Sequence, residues 1–159
     1  MPDIFVADYS NPDHGQAIIE LLDHYARDPM GGGMPLSSFT REHLIQELSK
    51  RPFTFSVLCL VDGQPAALAN CLEGFSTFAC KPLINIHDVV VNESFRGQSL
   101  CRKLFEKIEQ IAREKECCKI TLEVVEGNHV AQAAYRKLGF SGFELDEQLG
   151  HALFWEKKL

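Results

Sequence analysis

The stretch Ile84-Asn-Ile-His-Asp-Val-Val-Val-Asn-Glu-Ser-Phe-Arg-Gly-Gln-Ser-Leu-Cys-Arg-Lys-Leu-Phe105 changes its period halfway along. As far as Val91 it is a nearly continuous apolar run rich in Ile and Val, the composition of a strand covered on both faces. Asn92-Glu93-Ser94 breaks the run, and Arg96-Gly97-Gln98-Ser99 follows. From Leu100 the apolar residues return at helical spacing. Leu100, Leu104, Phe105, Ile108, Ile111 and Ala112 form one stripe on a helix expected to end near Lys115. Strand, tight turn and helix together can make an anion site. The first N–H groups of a helix have no partner inside it, and the macrodipole adds partial positive charge at the same end. A phosphate or pyrophosphate would be held there by main chain, with Arg96, Arg102 and Lys103 as charged help. Gly97 serves a plain strand–helix turn equally well. The stretch alone leaves both readings open.

A second stretch lies about thirty residues on. Residues 120–125, Ile-Thr-Leu-Glu-Val-Val, read as a strand, and Asn128-His-Val-Ala131-Gln-Ala-Ala-Tyr135-Arg-Lys-Leu-Gly139-Phe140 reads as a helix. Asn128 is placed to cap that helix, and Gly139 stands where a left-handed C-cap belongs. Together the two stretches resemble the acetyl-CoA-binding core of the GNAT superfamily of N-acyltransferases. There a strand ending in Val-x-x-x-x-Arg-Gly-x-Gly-x-Gly/Ala precedes the pyrophosphate-binding helix, and a later strand leads to Asn-x-x-Ala-x-x-x-Tyr-x-x-x-Gly-Phe. The second motif is matched in full and the first in part, because Ser99 and Cys101 stand where the family usually has small glycine or alanine residues. The motifs cover residues 83–140, and the order of predicted elements outside them also fits.

Working outward, residues 4–7 read as a short first strand. Asn11-Pro12 opens a helix with a cap and a first-turn proline, and Ala17, Ile18, Leu21, Leu22 and Tyr25 form its apolar stripe. That helix should stop before Asp28-Pro29. Met30-Gly-Gly-Gly-Met-Pro35 is an unusual loop, either a flexible connector or a segment that must lie close to a ligand, with Met30 and Met34 as adaptable apolar contacts. A second helix is expected over residues 40–50, presenting Leu44, Ile45 and Leu48. Residues 53–61 and 64–73 flank Asp62-Gly63, a strong signal for a tight hairpin. Residues 74–82 read as a loop, and residues 140–145 and 151–155 as a closing pair of strands around residues 146–150. A crossover makes the strand at residue 120 parallel to the central one. The expectation is an α/β (α+β) GNAT-like fold over residues 1–159 as a single N-acetyltransferase domain. Its mixed, mostly antiparallel sheet would have six to seven strands, helices on both faces and a parallel central strand pair.

The chain of 159 residues is long enough for one well-buried core, and 45% hydrophobic with 24% charged residues is ordinary for a globular protein. A formal net charge of −6 argues against nucleic acid or an anionic membrane as a general partner. The six cysteines, at 59, 71, 80, 101, 117 and 118, lie mostly inside predicted elements without Cys-x-x-Cys spacing, so neither a metal nor a disulfide framework is expected. No basic segment followed by an apolar run opens the chain, and no apolar run could span a bilayer. A cytoplasmic protein with reduced thiols is the economical expectation.

The resemblance implies acetyl-CoA as acyl donor, no metal, and a primary amine as acceptor, on a small molecule or a protein. It also admits a homodimer. By resemblance the pyrophosphate would rest on Arg96, Gly97, Gln98, Ser99, Leu100 and Cys101. Main-chain groups of Val89, Val90 and Val91 would pair with the pantetheine arm, one N–H polarising the acetyl carbonyl. Asn128 and Ala131 would contact the same arm, and Tyr135 would protonate the departing thiolate, a role its phenol pKa near 10 suits. His87 and Asp88, adjacent and expected to point to opposite faces, are candidates for base or acceptor binding. A water chain could replace either, and Glu123 ranks lower. Cys101, near a helix N-terminus, could have a lowered pKa and take the acyl group in a minority route. The alternative function is a catalytically weak acyl-CoA-binding sensor or interaction domain with a degenerate pyrophosphate loop.

Overall fold

Runs of consecutive buried residues, Ser56 to Cys59 in one strand and Ala66 to Ala69 in the next, mark a sheet covered on both faces. The computed structural model describes residues 1–144 and 146–159. Two compact units divide the chain, Met1–Val125 and Glu126–Leu159.

In the first unit the strands β1 (Pro2–Val6), β2 (Thr54–Val61), β3 (Gln64–Ser76), β4 (Lys81–Val91) and β5 (Ile120–Leu122) lie side by side in sequence order. All neighbours are antiparallel except β4 and β5, which are parallel. Asp62 and Gly63, at φ 51° and 77°, form the tight turn their sequence demands, because both central residues of such a turn need positive φ.

Helix α1 (Pro12–Arg27) starts as predicted: Asn11 Oδ1 accepts hydrogen bonds from the N–H groups of Asp13 (2.9 Å) and His14 (3.4 Å). It ends where Asp28 turns extended, at ψ 141°, ahead of Pro29. Ala17, Ile18 and Leu21 pack with Leu58, Leu68 and Val90 into a core on one face of the sheet. Helix α2 (Ser38–Ser49) lies against α1, where a Cβ on Gly15 would just touch Ile45. Leu44, Ile45 and Leu48 are only partly buried. Helix α3 (Leu100–Glu114) buries Leu100, Leu104, Phe105, Ile108 and Ala112, nearly the stripe read from the sequence. Cys59, three residues from Ser56 and one from Leu58, feels the charge of Lys103 on α3, which places α3 on the sheet face opposite α1.

Three expectations are corrected. The sheet has five strands among the described residues, not six to seven. Residues 74–82 are mostly not a loop: β3 and β4 keep pairing out to Ser76 and Lys81, because cross-strand bonds continue until Cys80 takes φ 51°. The strand expected over residues 120–125 stops at Leu122.

The second unit holds helix α4 (His129–Lys137), whose cap is Asn128, its Oδ1 accepting from the Ala131 N–H at 3.2 Å. Gly139, at φ 91°, ends it, with the Phe140 N–H bonded to the Tyr135 carbonyl at 3.0 Å. Among the described residues the expected closing strands are reduced to one isolated bridge, Glu144 with His151. Leu145, within that expectation, lies outside the described residues. A two-stranded pair alone is marginal. The turn between them does form, with Asp146 Oδ1 accepting from the N–H groups of Gln148 and Leu149 at 2.8 Å.

Candidate active site

Two slips of register decide which side chains meet on the α1 face. The hairpin aligns Val61 with Gln64 and Leu60 with Pro65, but Cys59 then faces Ala67, so Ala66 is an extra residue in β3. Pro65, having no N–H for the ladder, sits at that irregularity. The slip brings Ser56 opposite Asn70. On the other edge of β3, Cys71 faces Ile86 while Asn70 faces Asp88, and His87 is the extra residue of β4. Without this bulge Asn70 would face His87. Simple alternation therefore fails at His87 and Asp88: His87 is exposed in the bulge, and Asp88 is half-buried on the same face as Leu68 and Val90.

The result is a hydrogen-bonded row across three strands. The Tyr9 hydroxyl meets Ser56 Oγ at 2.9 Å, Ser56 Oγ donates to Asn70 Oδ1 at 2.7 Å, and Asn70 Nδ2 donates to Asp88 Oδ2 at 3.1 Å. Burial pushes the Tyr9 phenol up, opposed by its hydrogen bonds to Ser56 and Thr54. Tyr25, on α1, is also pushed up, first by burial and then by the negative charges of Asp88 and Asp28. Cys71 is raised to about 12 by burial, with Asp88 adding to it.

The bulge also opens an edge. Strand β5 pairs with β4 only through Ile84, Asn85 and Ile86, where Asn85 Nδ2 donates to Thr121 Oγ1 at 3.1 Å. From His87 to Val91, β4 is paired on its β3 side alone among the described residues. Val89, Val90 and Val91 thus present a main-chain edge able to accept an added extended chain. Glu123 lies beyond the end of β5 and is exposed.

Directly after β4, Asn92 caps one short 3₁₀ turn, Glu93–Phe95, its Oδ1 accepting from the Ser94 N–H at 3.0 Å. Arg96 is extended, Gly97 takes φ 80°, and Ser99 takes φ 58° and ψ 26° before α3 begins. The first intrahelical bond is given by Lys103 to the Ser99 carbonyl at 3.2 Å. The N–H groups of Leu100, Cys101 and Arg102 thus precede the ladder and point out of the helix end. A Cβ built on Gly97 would meet no atom within 4 Å, so the space beside the turn is open. Arg96 and Gln98 are exposed beside it. These residues suit a diphosphate: open space, free amides and positive charge. Ser99 makes no capping hydrogen bond with its side chain. Cys101 is not an activated thiol, since burial raises its pKa to about 11 and outweighs any help from the helix end.

The glycine loop is ordered rather than a slack connector. Asp23 on α1, nearly buried, accepts from Arg27 Nε at 2.8 Å and from the Leu36 N–H at 2.9 Å, and pairs with Arg41 of α2 at 2.7 Å. Burial alone would raise its pKa. The hydrogen bonds from Arg27 and Leu36 and the charges of Arg27 and Arg41 overcome that and hold the carboxyl below its ordinary value. Gly31 passes so close to the Tyr25 carbonyl that no Cβ fits. Met34, at the far end of the loop, is largely exposed, and its N–H bonds to the Ala26 carbonyl at 3.0 Å.

In the second unit, Ala131 and Tyr135 lie on α4 and Asn128 caps it, and the Tyr135 ring meets Phe140 edge-on with centroids 6.3 Å apart. Among the described residues no group of three or more His, Cys, Asp or Glu side chains could hold a metal, and no helix is long and apolar enough to cross a membrane.

Residues 16–140 match the acetyltransferase (GNAT) family. The chain belongs to that family. Members of the GNAT family use acetyl-CoA as cosubstrate. A protein of Bacillus subtilis (strain 168), proposed to be a [ribosomal protein bS18]-alanine N-acetyltransferase, is 27% identical over 103 residues, covering 65% of this chain and 64% of its own. Glucosamine 6-phosphate N-acetyltransferase 1 of Dictyostelium discoideum is 27% identical over 99 residues, 58% of this chain and 63% of that protein. The chain thus spans somewhat under two thirds of the length of these curated relatives. An aminoglycoside acetyltransferase from an uncultured soil metagenomic sample, solved with sisomicin, superposes with a TM-score of 0.80 at 16% identity, covering 99% of this chain and 96% of the other. That likeness shows a shared fold.

Of the residues singled out in the sequence, Asp88 to Val91 and Arg96 to Cys101 follow one another on one strand and one turn of the first unit. His87 is beside them in chain order but sits in the bulge. Tyr9, Tyr25, Ser56, Asn70 and Asp23 were missed. The signal for Ser56 and Asn70 was polar side chains inside otherwise apolar strands, which cost free energy unless bonded. Their meeting depends on two bulges that no residue pattern announces.

Proposed function

We propose that this chain is an acetyl-CoA-dependent N-acetyltransferase, with residues 1–159 acting as one catalytic domain in a ternary complex. Amides of residues 96–101 hold the diphosphate of coenzyme A, with Arg96 adding charge. The open edge of Val89 to Val91 receives the pantetheine arm, joined by Asn128 and Ala131, and an N–H on that edge polarises the thioester carbonyl. The acceptor amine attacks the acetyl carbon, the C–S bond breaks, the amine nitrogen gives a proton to His87 or water, the thiolate takes one from Tyr135, and solvent returns a proton to the phenolate. The products are an N-acetyl amide and coenzyme A as free thiol. Asp88 holds the acceptor, because it is the one candidate base or binder tied into the face beside Tyr25. His87, exposed in the bulge, is left as a proton acceptor toward solvent.

The observation that carries this reading is the coincidence at the end of β4. One bulge releases an edge for an extended arm, and the same strand runs directly into a turn with outward amides and open space beside Gly97. The relatives suggest the panel of acceptors: a peptide with N-terminal alanine, glucosamine 6-phosphate and sisomicin, with spermidine added as a free polyamine. Thiol release from acetyl-CoA in the presence of each amine is the test. Turnover of none of them, with coenzyme A bound, would leave only a binding protein. Tyr135→Phe should lower kcat by about 10²-fold or more where chemistry limits the rate. An unchanged kcat would remove Tyr135 from the acid role.

A further inference from the structure

The row of Tyr9, Ser56, Asn70 and Asp88 has a direction. An ionised carboxylate only accepts, so the group facing Asp88 Oδ2 at 3.1 Å is the Asn70 amide nitrogen, and the amide oxygen faces Ser56. That oxygen also only accepts. The single Ser56 proton is therefore spent on it at 2.7 Å, and the Tyr9 phenol must be the donor at 2.9 Å. Every O–H and N–H in the row points toward Asp88. Such a chain polarises itself, each donor strengthening the next.

Core packing does not require this arrangement. Ser56 is 1% exposed in a strand whose neighbours Val57, Leu58 and Cys59 are fully buried, and apolar side chains in place of the whole row would leave no bond unmet. The row also ends on an open partner: Asp88 Oδ1 receives no hydrogen bond among the described residues. We propose that Asn70, oriented by Ser56 and Tyr9, is a positioning residue that fixes one oxygen of Asp88 so that the other meets the acceptor amine. This rests on the reading of Asp88 as the acceptor-binding group. It adds specificity for a cationic acceptor, because a carboxylate anchored at one oxygen by the last of three aligned donors is held in one rotamer with its other oxygen free to meet the cation.

A double-mutant cycle tests it, using whichever amine of the panel turns over fastest. Asn70→Ala should lower kcat/KM for the amine by roughly 10- to 100-fold and leave the KM for acetyl-CoA unchanged. In an Asp88→Asn background the same substitution should have no further effect, because its action passes through the missing carboxylate. Tyr9→Phe, distal and nearly isosteric, should lower kcat/KM about two- to threefold with Tm preserved, which guards against a misfolded Asn70 variant. Losses that multiply in the double mutant, or a silent N70A beside a crippled D88N, overturn the positioning role and leave Asp88 in place. Full activity in D88N, or no turnover of any amine by the wild type, overturns both.

Discussion

Ser99 is the sharpest departure from the family motif, and its geometry allows a signed prediction. It sits at φ 58° and ψ 26°, a region that costs a residue with a Cβ about 1–2 kcal/mol. Glycine would escape that strain but brings extra unfolded-state entropy worth roughly 0.5–1 kcal/mol. The hydroxyl makes no capping bond, so its removal forfeits nothing in the free protein. The net for Ser99→Gly is a stabilisation of about 0.5–1 kcal/mol, or about 1–4 °C in Tm for a chain of this size. Because the strained conformer is the one that aims the amides outward, affinity for coenzyme A should hold or rise. Gly97→Ala reverses the sign. At φ 80° an alanine costs about 1–2 kcal/mol in strain alone, since its Cβ meets no protein atom. With ligand present that Cβ fills the space reserved for the diphosphate, so coenzyme A affinity should fall by roughly tenfold or more, beyond the stability loss. Differential scanning calorimetry and isothermal titration with coenzyme A read both quantities. A lower Tm for S99G, or wild-type affinity in G97A, would refute the assignment of this turn.

Three further outcomes are expected. Asp23→Ala strips the charge-assisted bonds of a nearly buried carboxylate and should destabilise by about 2–4 kcal/mol in urea titration. Because the folded pKa of Asp23 is depressed, its contribution is fully present above the unfolded value of about 3.9 and fades as pH falls through the lower folded value, so Asp23→Asn should flatten the acid limb of stability. Gly31→Ala forces a Cβ onto the Tyr25 carbonyl and should cost about 1–3 kcal/mol, with acceptor KM rising as Tyr25 shifts. At pH 8 iodoacetamide should label the exposed Cys80 and Cys118 well before Cys101 or Cys71, whose thiols are pushed up to about 11 and about 12, and Cys101→Ala should keep its activity. Early labelling of Cys101 in peptide mapping would reinstate a reactive thiol there.

Much of this protein is written locally. Asn11-Pro12, Asp62-Gly63, Asn128 and Gly139 state where helices and turns begin or end because each acts through bonds to its own neighbours. The stripe from Leu100 to Ala112 and the turn at Gly97 were equally legible, since both depend on periodicity and backbone freedom within a few residues. The closing strands failed for the converse reason: alternation favours a strand but does not supply the neighbour that holds it.

The row that ends at Asp88 was decided by tertiary structure alone. Continued in regular register, the hairpins would have set Ser56 against Ala69 and Asn70 against His87. One extra residue at Ala66 and another at His87 replace those pairs with Ser56 against Asn70 and Asn70 against Asp88. A strand's side chains alternate with a period of two, so a slip of one residue moves every later side chain to the other face. Where such a slip occurs depends on how three strands and two helix layers pack together. That is why the sequence announces the strand, turn and helix around Gly97, while the direction and end point of the row at Asp88 emerge only in the folded sheet.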